Sequence, residues 1–142
     1  MYELTEEAVV AASVDSVWAD FTESERVAQW MWPERFETTA VVELFELGRW
    51  EVRSDVVDLA VEAKILTFDP PVALRLAWRW AGEDESTDVE IALERTADAA
   101  TRVIVRHSGF RTAEERATHV EGWSNCLQRL VDRYGGAPGE HL

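Results

Sequence analysis

The segment TAEERATHVEGWSNCLQRLVDRY, Thr112–Tyr134, organises the rest of the chain. Val120, Trp123, Leu127, Leu130 and Tyr134 recur at steps of three and four, so they share one stripe of an amphipathic helix. Thr112 followed by Glu115 forms a capping-box pattern, which satisfies N–H groups that the first helical turn leaves free. Glu114 and Glu115 complement the positive end of the helix dipole and Arg129 and Arg133 its negative end, while Gly135-Gly136 stop the helix. No earlier segment has helical periodicity over a comparable length. The stripe therefore needs a covering surface, and the chain upstream supplies one.

Most of Phe36 to Phe110 has the period of strands. Thr38 to Glu46 leads through Leu47-Gly48 into Arg49 to Ser54, where Trp50 and Val52 share a face. Asp58 to Phe68 is apolar at Leu59, Val61, Ala63 and Ile65 and shifts phase at Leu66 and Phe68, the mark of a β-bulge. After Pro70-Pro71, Leu74, Leu76, Trp78 and Trp80 alternate with Arg75, Ala77 and Arg79. An acidic turn, Gly82 to Thr87, separates these from Val89, Ile91 and Leu93, and the Ala97–Ala100 turn precedes Val103, Val105 and His107. Such short spacings leave no room for crossover helices, so the strands form antiparallel hairpins.

Ahead of them, Tyr2 to Ala11 reads as a first strand, with Glu3, Glu6 and Glu7 marking an edge or a solvated side. Ser13 caps a short helix carrying Val14, Val17, Trp18 and Phe21. Thr22 with Glu25 is expected to cap a second, through Val27, Trp30 and Met31, which Pro33 ends. The order is strand, two short helices, six strands, long helix: an α+β fold with a curved antiparallel sheet of about seven strands around the C-terminal helix. A sheet of that size twists and curls, and one helix cannot fill its concave face. A cavity between the two is expected.

A length of 142 residues fits one domain, expected over 1–136, with 137–142 a frayed tail. Hydrophobic content of 46% and seven Trp support a substantial core. With 14 Lys+Arg against 28 Asp+Glu the net charge is −14, which repels phosphate backbones and anionic lipid, so nucleic acid and membrane are poor partners. No apolar run approaches the roughly 18 residues that insertion in a bilayer requires. The acidic Met1–Glu7 lacks a signal-peptide core, and a lone Cys126 cannot form an internal disulfide, so a cytoplasmic location is expected. Three His and one Cys, scattered along the chain, do not make a metal site. No phosphate loop, Rossmann fingerprint or nucleophile elbow is present, and no cofactor is expected. Exposed strand edges could pair two copies, although nothing specifies a homodimer.

Several local motifs carry a resemblance to a known family. They are Val17-Trp18, Trp30-Met31-Trp32-Pro33, Gly48-Arg49-Trp50, Phe68-Asp69-Pro70-Pro71 leading to Leu74, Thr101-Arg102-Val103 through His107-Ser108-Gly109-Phe110, and His119-Val120-Glu121-Gly122-Trp123. In this order, from Glu3 to Tyr134, the chain resembles the helix-grip (START, SRPBCC, Bet v 1-like) superfamily. That superfamily includes steroidogenic START lipid-transfer domains, plant pathogenesis-related allergens and aromatic polyketide cyclases. Within it the chain is most similar to the bacterial group resembling the C-terminal domain of the activator of heat-shock protein 90 ATPase. The resemblance implies a hydrophobic small molecule held between sheet and helix. The eukaryotic activator engages its chaperone with an additional N-terminal domain for which this chain has no room, so a chaperone partner is not expected.

Candidate ligand-binding positions follow from strand parity and the helical stripe: Trp50, Val52, Leu76, Trp78, Ile91, Val105, His107, His119, Trp123, Cys126 and Leu127. Any one indole taken alone reads as plain core, but several on facing elements, with Trp80, are hard to close-pack without residual space. His107 shares parity with Val103 and Val105, so its ring faces the helix, either as a satisfied core histidine or as an acid–base group. His119 is expected near a pocket mouth, and Cys126 as a small apolar residue beside Leu127 and Leu130. Gly122 in mid-helix costs about 1 kcal/mol relative to Ala, which suggests either close approach to a bulky neighbour or a kink. Three functions follow. The first is non-catalytic binding of a small hydrophobic or amphipathic ligand, lipid or aromatic. The second is a polyketide cyclase-like enzyme using His107, with an indole or Tyr134 orienting the substrate. The third is a protein-interaction module linked to a chaperone.

Overall fold

A computed structural model describes residues 1–135; Gly136 and the expected tail at 137–142 lie outside the described residues. The chain forms β1 (Tyr2–Val10), α1 (Val14–Thr22), α2 (Ser24–Trp30), a short 3-10 turn (Glu34–Phe36), β2 (Thr39–Val42), β3 (Arg49–Ser54), β4 (Leu59–Asp69), β5 (Ala73–Trp78), β6 (Thr87–Arg95), β7 (Thr101–Phe110) and α3 (Ala113–Arg133). The seven strands make one curved antiparallel sheet in the order β1-β7-β6-β5-β4-β3-β2. This is the α+β arrangement that periodicity implies and the helix-grip fold that the resemblance implies, with the acidic β1 at one edge. The phase change in β4 is a register shift between Ile65 and Thr67.

α3 begins as its sequence dictates: Thr112 accepts the Glu115 N–H at 3.0 Å. The Glu115 carboxylate reaches past Thr112 to the Arg111 N–H. Its buried face is Trp123, Cys126, Leu127, Leu130 and Val131. The helix packs mainly over β1, beside β7 and α2.

Three local expectations are corrected. The capping box at Thr22 and Glu25 does not form: the Thr22 hydroxyl donates back to the Trp18 carbonyl at 2.8 Å, closing α1 instead. Glu23 takes the N-cap position of α2 without a side-chain bond, and Ser24 ties that helix to β2 by accepting the Val42 N–H. The strand expected over Thr38 to Glu46 is confined to Thr39–Val42, because the chain turns back at Glu43 to Gly48. Gly48 is obligatory there, since a Cβ would lie 2.0 Å from the Glu43 carbonyl oxygen. Finally, regular β5 ends at Trp78, where its pairing with β6 stops; Trp80 continues on the same face by one bridge to Val61.

Among the described residues, no helix is long and apolar enough to cross a membrane, and no three His, Cys, Asp or Glu lie where they could hold a metal ion.

Candidate functional site

The interior is dominated by rings. Trp50 and Trp30 are fully buried, and their indole N–H groups donate to the Phe21 and Asp20 carbonyls at the end of α1, at 2.8 and 2.9 Å. Those carbonyls are the ones a helix C-terminus leaves without partners. This half of the core is closed.

Towards the N-terminal half of α3 the packing changes. Trp78 sits between Trp50, Trp80, Trp123 and His107, with ring centroids 5.3–5.9 Å away. Two indole-to-imidazole bonds tie sheet and helix together: Trp123 Nε1 donates to His107 Nδ1, and Trp80 Nε1 donates to His119 Nε2, each at 3.0 Å. The His107 and His119 rings meet edge to face at 5.1 Å, with Phe110 against both. Trp32 lies nearly parallel to Trp80, at 8°.

This ring cluster borders two clefts. The apolar one, about 440 Å³, is walled by Met31 and Trp32 after α2, Leu59 of β4, Trp78 and Trp80, and Thr118, His119, Gly122, Trp123 and Cys126 of α3. The other, about 480 Å³, lies beneath the Gly82–Thr87 turn and the start of α3, and its walls also include Phe110, Arg111 and Glu115. Trp78, Trp80, Glu83 and His119 border both. Trp78 is 3% exposed, and its Nε1 has no hydrogen-bond partner among the described residues. A buried donor left in that state costs about 1–3 kcal/mol.

The hydrogen bonds fix the histidine tautomers. His107 Nδ1 accepts from Trp123, so Nε2 carries the proton and donates to Thr87 Oγ1 at 2.6 Å. The Thr87 hydroxyl passes the chain on to the Trp78 carbonyl at 3.4 Å. Burial, and secondarily the neighbouring His119, push the His107 pKa down to about 3. His107 is thus a neutral, fully buried ring with both nitrogens engaged, which does not suit proton transfer to a guest. His119 Nε2 accepts from Trp80, so its Nδ1–H donates to the Glu115 carbonyl at 2.7 Å.

Of the eleven candidate positions, Trp78, His119, Trp123 and Cys126 border the apolar cleft. Trp50, Val52, Leu76, Ile91, Val105, His107 and Leu127 are buried and border neither cleft. The expected cavity under the whole helix is therefore replaced by close packing at its centre, with open space at one end. Tyr134, offered as a substrate-orienting residue, lies away from both clefts. Its hydroxyl donates to Asp20 Oδ2 at 2.5 Å. Gly122 has nothing within 4 Å of where a Cβ would stand, so the close-approach account is wrong; α3 runs unbroken through it. Its missing side chain leaves space at the cleft wall.

Sequence reasoning missed what holds this wall in place. Arg129 donates Nε to the Trp30 carbonyl and Nη2 to the Met31 carbonyl, at 3.0 and 2.9 Å, and the Cys126 thiol donates to the same Met31 oxygen. α2 has no basic residue in its own last turn, so α3 supplies the charge that its C-terminus attracts. Burial pushes the Cys126 thiol up to about 11, which makes it a packing group rather than a nucleophile. The basic residues near the end of α3 were a visible signal, but their partners lie roughly a hundred residues away.

Comparison with known proteins follows this geometry. The family model described as Activator of Hsp90 ATPase homolog 1-like protein matches residues 11–135. No curated protein matches the sequence significantly. Among solved structures, the chain is similar to protein MLL2253 from Mesorhizobium loti, at 17% identity and a TM-score of 0.79, covering 92% of this chain and 95% of that one. The AHSA1 protein from Silicibacter pomeroyi is 20% identical with a TM-score of 0.71, covering 93% and 96%. The Aha1 dimer from Colwellia psychrerythraea is 18% identical with a TM-score of 0.77, covering 98% and 100%. At these identities the likeness establishes a shared fold.

Proposed function

We propose, starting from the fact that the chain belongs to the Activator of Hsp90 ATPase homolog 1-like family, that it binds a small hydrophobic or amphipathic molecule without transforming it. The guest lies in the apolar cleft between the N-terminal half of α3 and the end of β5. The observation that carries this is the cleft itself: about 440 Å³, walled by four indoles and opened by the bare Cα of Gly122. Its size falls in the range of small-molecule sites, and its mixture of apolar wall with few polar groups is their usual chemistry. The neutral, doubly bonded His107 favours binding over acid–base catalysis. The domain is taken as residues 1–136 and its compartment as a reducing cytoplasm, in keeping with the buried free thiol of Cys126.

The test joins native mass spectrometry of gently purified protein to a thermal-shift screen of lipids and aromatic compounds. A bound mass, or stabilisation by one ligand class that Gly122→Phe abolishes, is the expected result. Neither carried-over mass nor stabilisation by any class would overturn the proposal.

A further inference from the structure

The two clefts differ in charge, although they share Trp78 and Trp80. Among the described residues, the apolar one has a single carboxylate at its border, Glu83. The other is bordered by Glu83, Asp84, Glu85 and Glu115, with Arg111 the only cationic side chain among the described residues. That cation is already engaged: Arg111 pairs with Glu85, and its backbone N–H donates to Glu115. Nearby Arg79 donates to the Glu83 carbonyl, while its charge is balanced by Glu62 at 2.7 Å. The carboxylates of Glu83 and Asp84 have no ion-pair partner among the described residues.

Resting on the binding function proposed above, we infer that the preferred ligand is a cationic amphiphile: a flat apolar body joined through a short link to an ammonium group. The body occupies the indole-walled cleft. The ammonium passes Glu83 into the acidic cleft, where the carboxylates and the part-exposed ring of Trp80 attract it together. Trp78, Trp80, Glu83 and His119 border both clefts, so the link crosses beside them. The net charge of −14 adds a long-range bias in the same direction. An anionic ligand such as a fatty acid would meet repulsion at this mouth.

The experiment titrates the intact protein with three probes that share one body and link: naphthyloxyethylammonium, naphthyloxyethanol and naphthyloxyacetate. The ammonium should bind about tenfold more tightly than the alcohol, and the acetate more weakly than both. High salt should shrink the preference. In the double variant Glu83→Gln, Asp84→Asn, both exposed positions, the ammonium should lose most of its preference over the alcohol, whose own affinity stays unchanged. Equal binding of ammonium and alcohol, tighter binding of the acetate, or a preference undiminished by the double substitution would each overturn the inference while leaving the cleft a binding site. If none of the three binds, the binding function falls with it.

Discussion

The two halves of α3 meet the rest of the protein by different means. From Cys126 onward the helix is fastened by charged and polar side chains: Arg129 on the carbonyls of Trp30 and Met31, Arg133 and Tyr134 on Asp20. Asp20 is fully buried, with Oδ1 2.9 Å from Arg26 and 3.2 Å from Arg133. Oδ1 meets both as ion pairs without well-aligned hydrogen bonds, while Oδ2 takes the Tyr134 hydroxyl. Burial raises the Asp20 pKa, and Tyr134, Arg26 and Arg133 oppose that rise. From Ala113 to Trp123, by contrast, α3 is held by two indole-to-imidazole bonds and ring packing. Neutral hydrogen bonds are the weaker class, typically 0.5–1.5 kcal/mol net. The contrast suggests a division of labour, in which the ionic end fixes the helix and the aromatic end can accommodate a guest.

The largest expected effect breaks the ionic end. Asp20→Ala strands two guanidinium groups and removes the acceptor of Tyr134, and should cost about 3–5 kcal/mol in denaturant unfolding. A loss below 1 kcal/mol would erase the distinction between the two ends. Next comes a matched pair of truncations. Trp50→Ala, in the closed core, should cost about 3–5 kcal/mol. Trp123→Ala, whose ring borders the cleft, should cost about 2 kcal/mol, because less close-packed contact is lost.

pH separates the halves further. The His107 pKa lies below its ordinary value, so the stability tied to its neutral form is complete above pH 6.5 and is lost as pH falls from 6.5 towards 3. The slope is about 1.4 kcal/mol per pH unit for this single proton. Unfolding free energies of wild type and His107→Gln, measured across that window, should differ in slope by this amount; parallel curves would contradict the buried neutral ring. The smallest effect has the opposite sign. Gly122→Ala meets open space and should stabilise the protein by about 1 kcal/mol.

Much of the frame could be read from local pattern. The cap at Thr112, the inward parity of Trp78 and Trp80 and the phase change at Leu66 each involve neighbours within a few residues, where period and sterics suffice. The position of the cleft could not be read in this way. Trp50 and Trp78 have the same parity, yet one is sealed against the end of α1, whose Phe21 carbonyl takes its N–H, and the other borders the cleft beside Gly122. The Asp20 cluster joins residues more than a hundred positions apart and leaves no periodic trace. The acidic Gly82–Thr87 turn was visible as a turn, but its role as a cleft wall depends on the start of α3 lying across from it.

The central claim is that one end of this interior is open to a guest and the other is not. Proton–nitrogen correlation spectra of the seven indoles, recorded while naphthyloxyethanol is titrated in, test it directly. Signals of Trp32, Trp78, Trp80 and Trp123 should shift together while those of Trp30 and Trp50 stay fixed. Movement of Trp30 and Trp50 with the others, or no movement in any of them, would contradict the account.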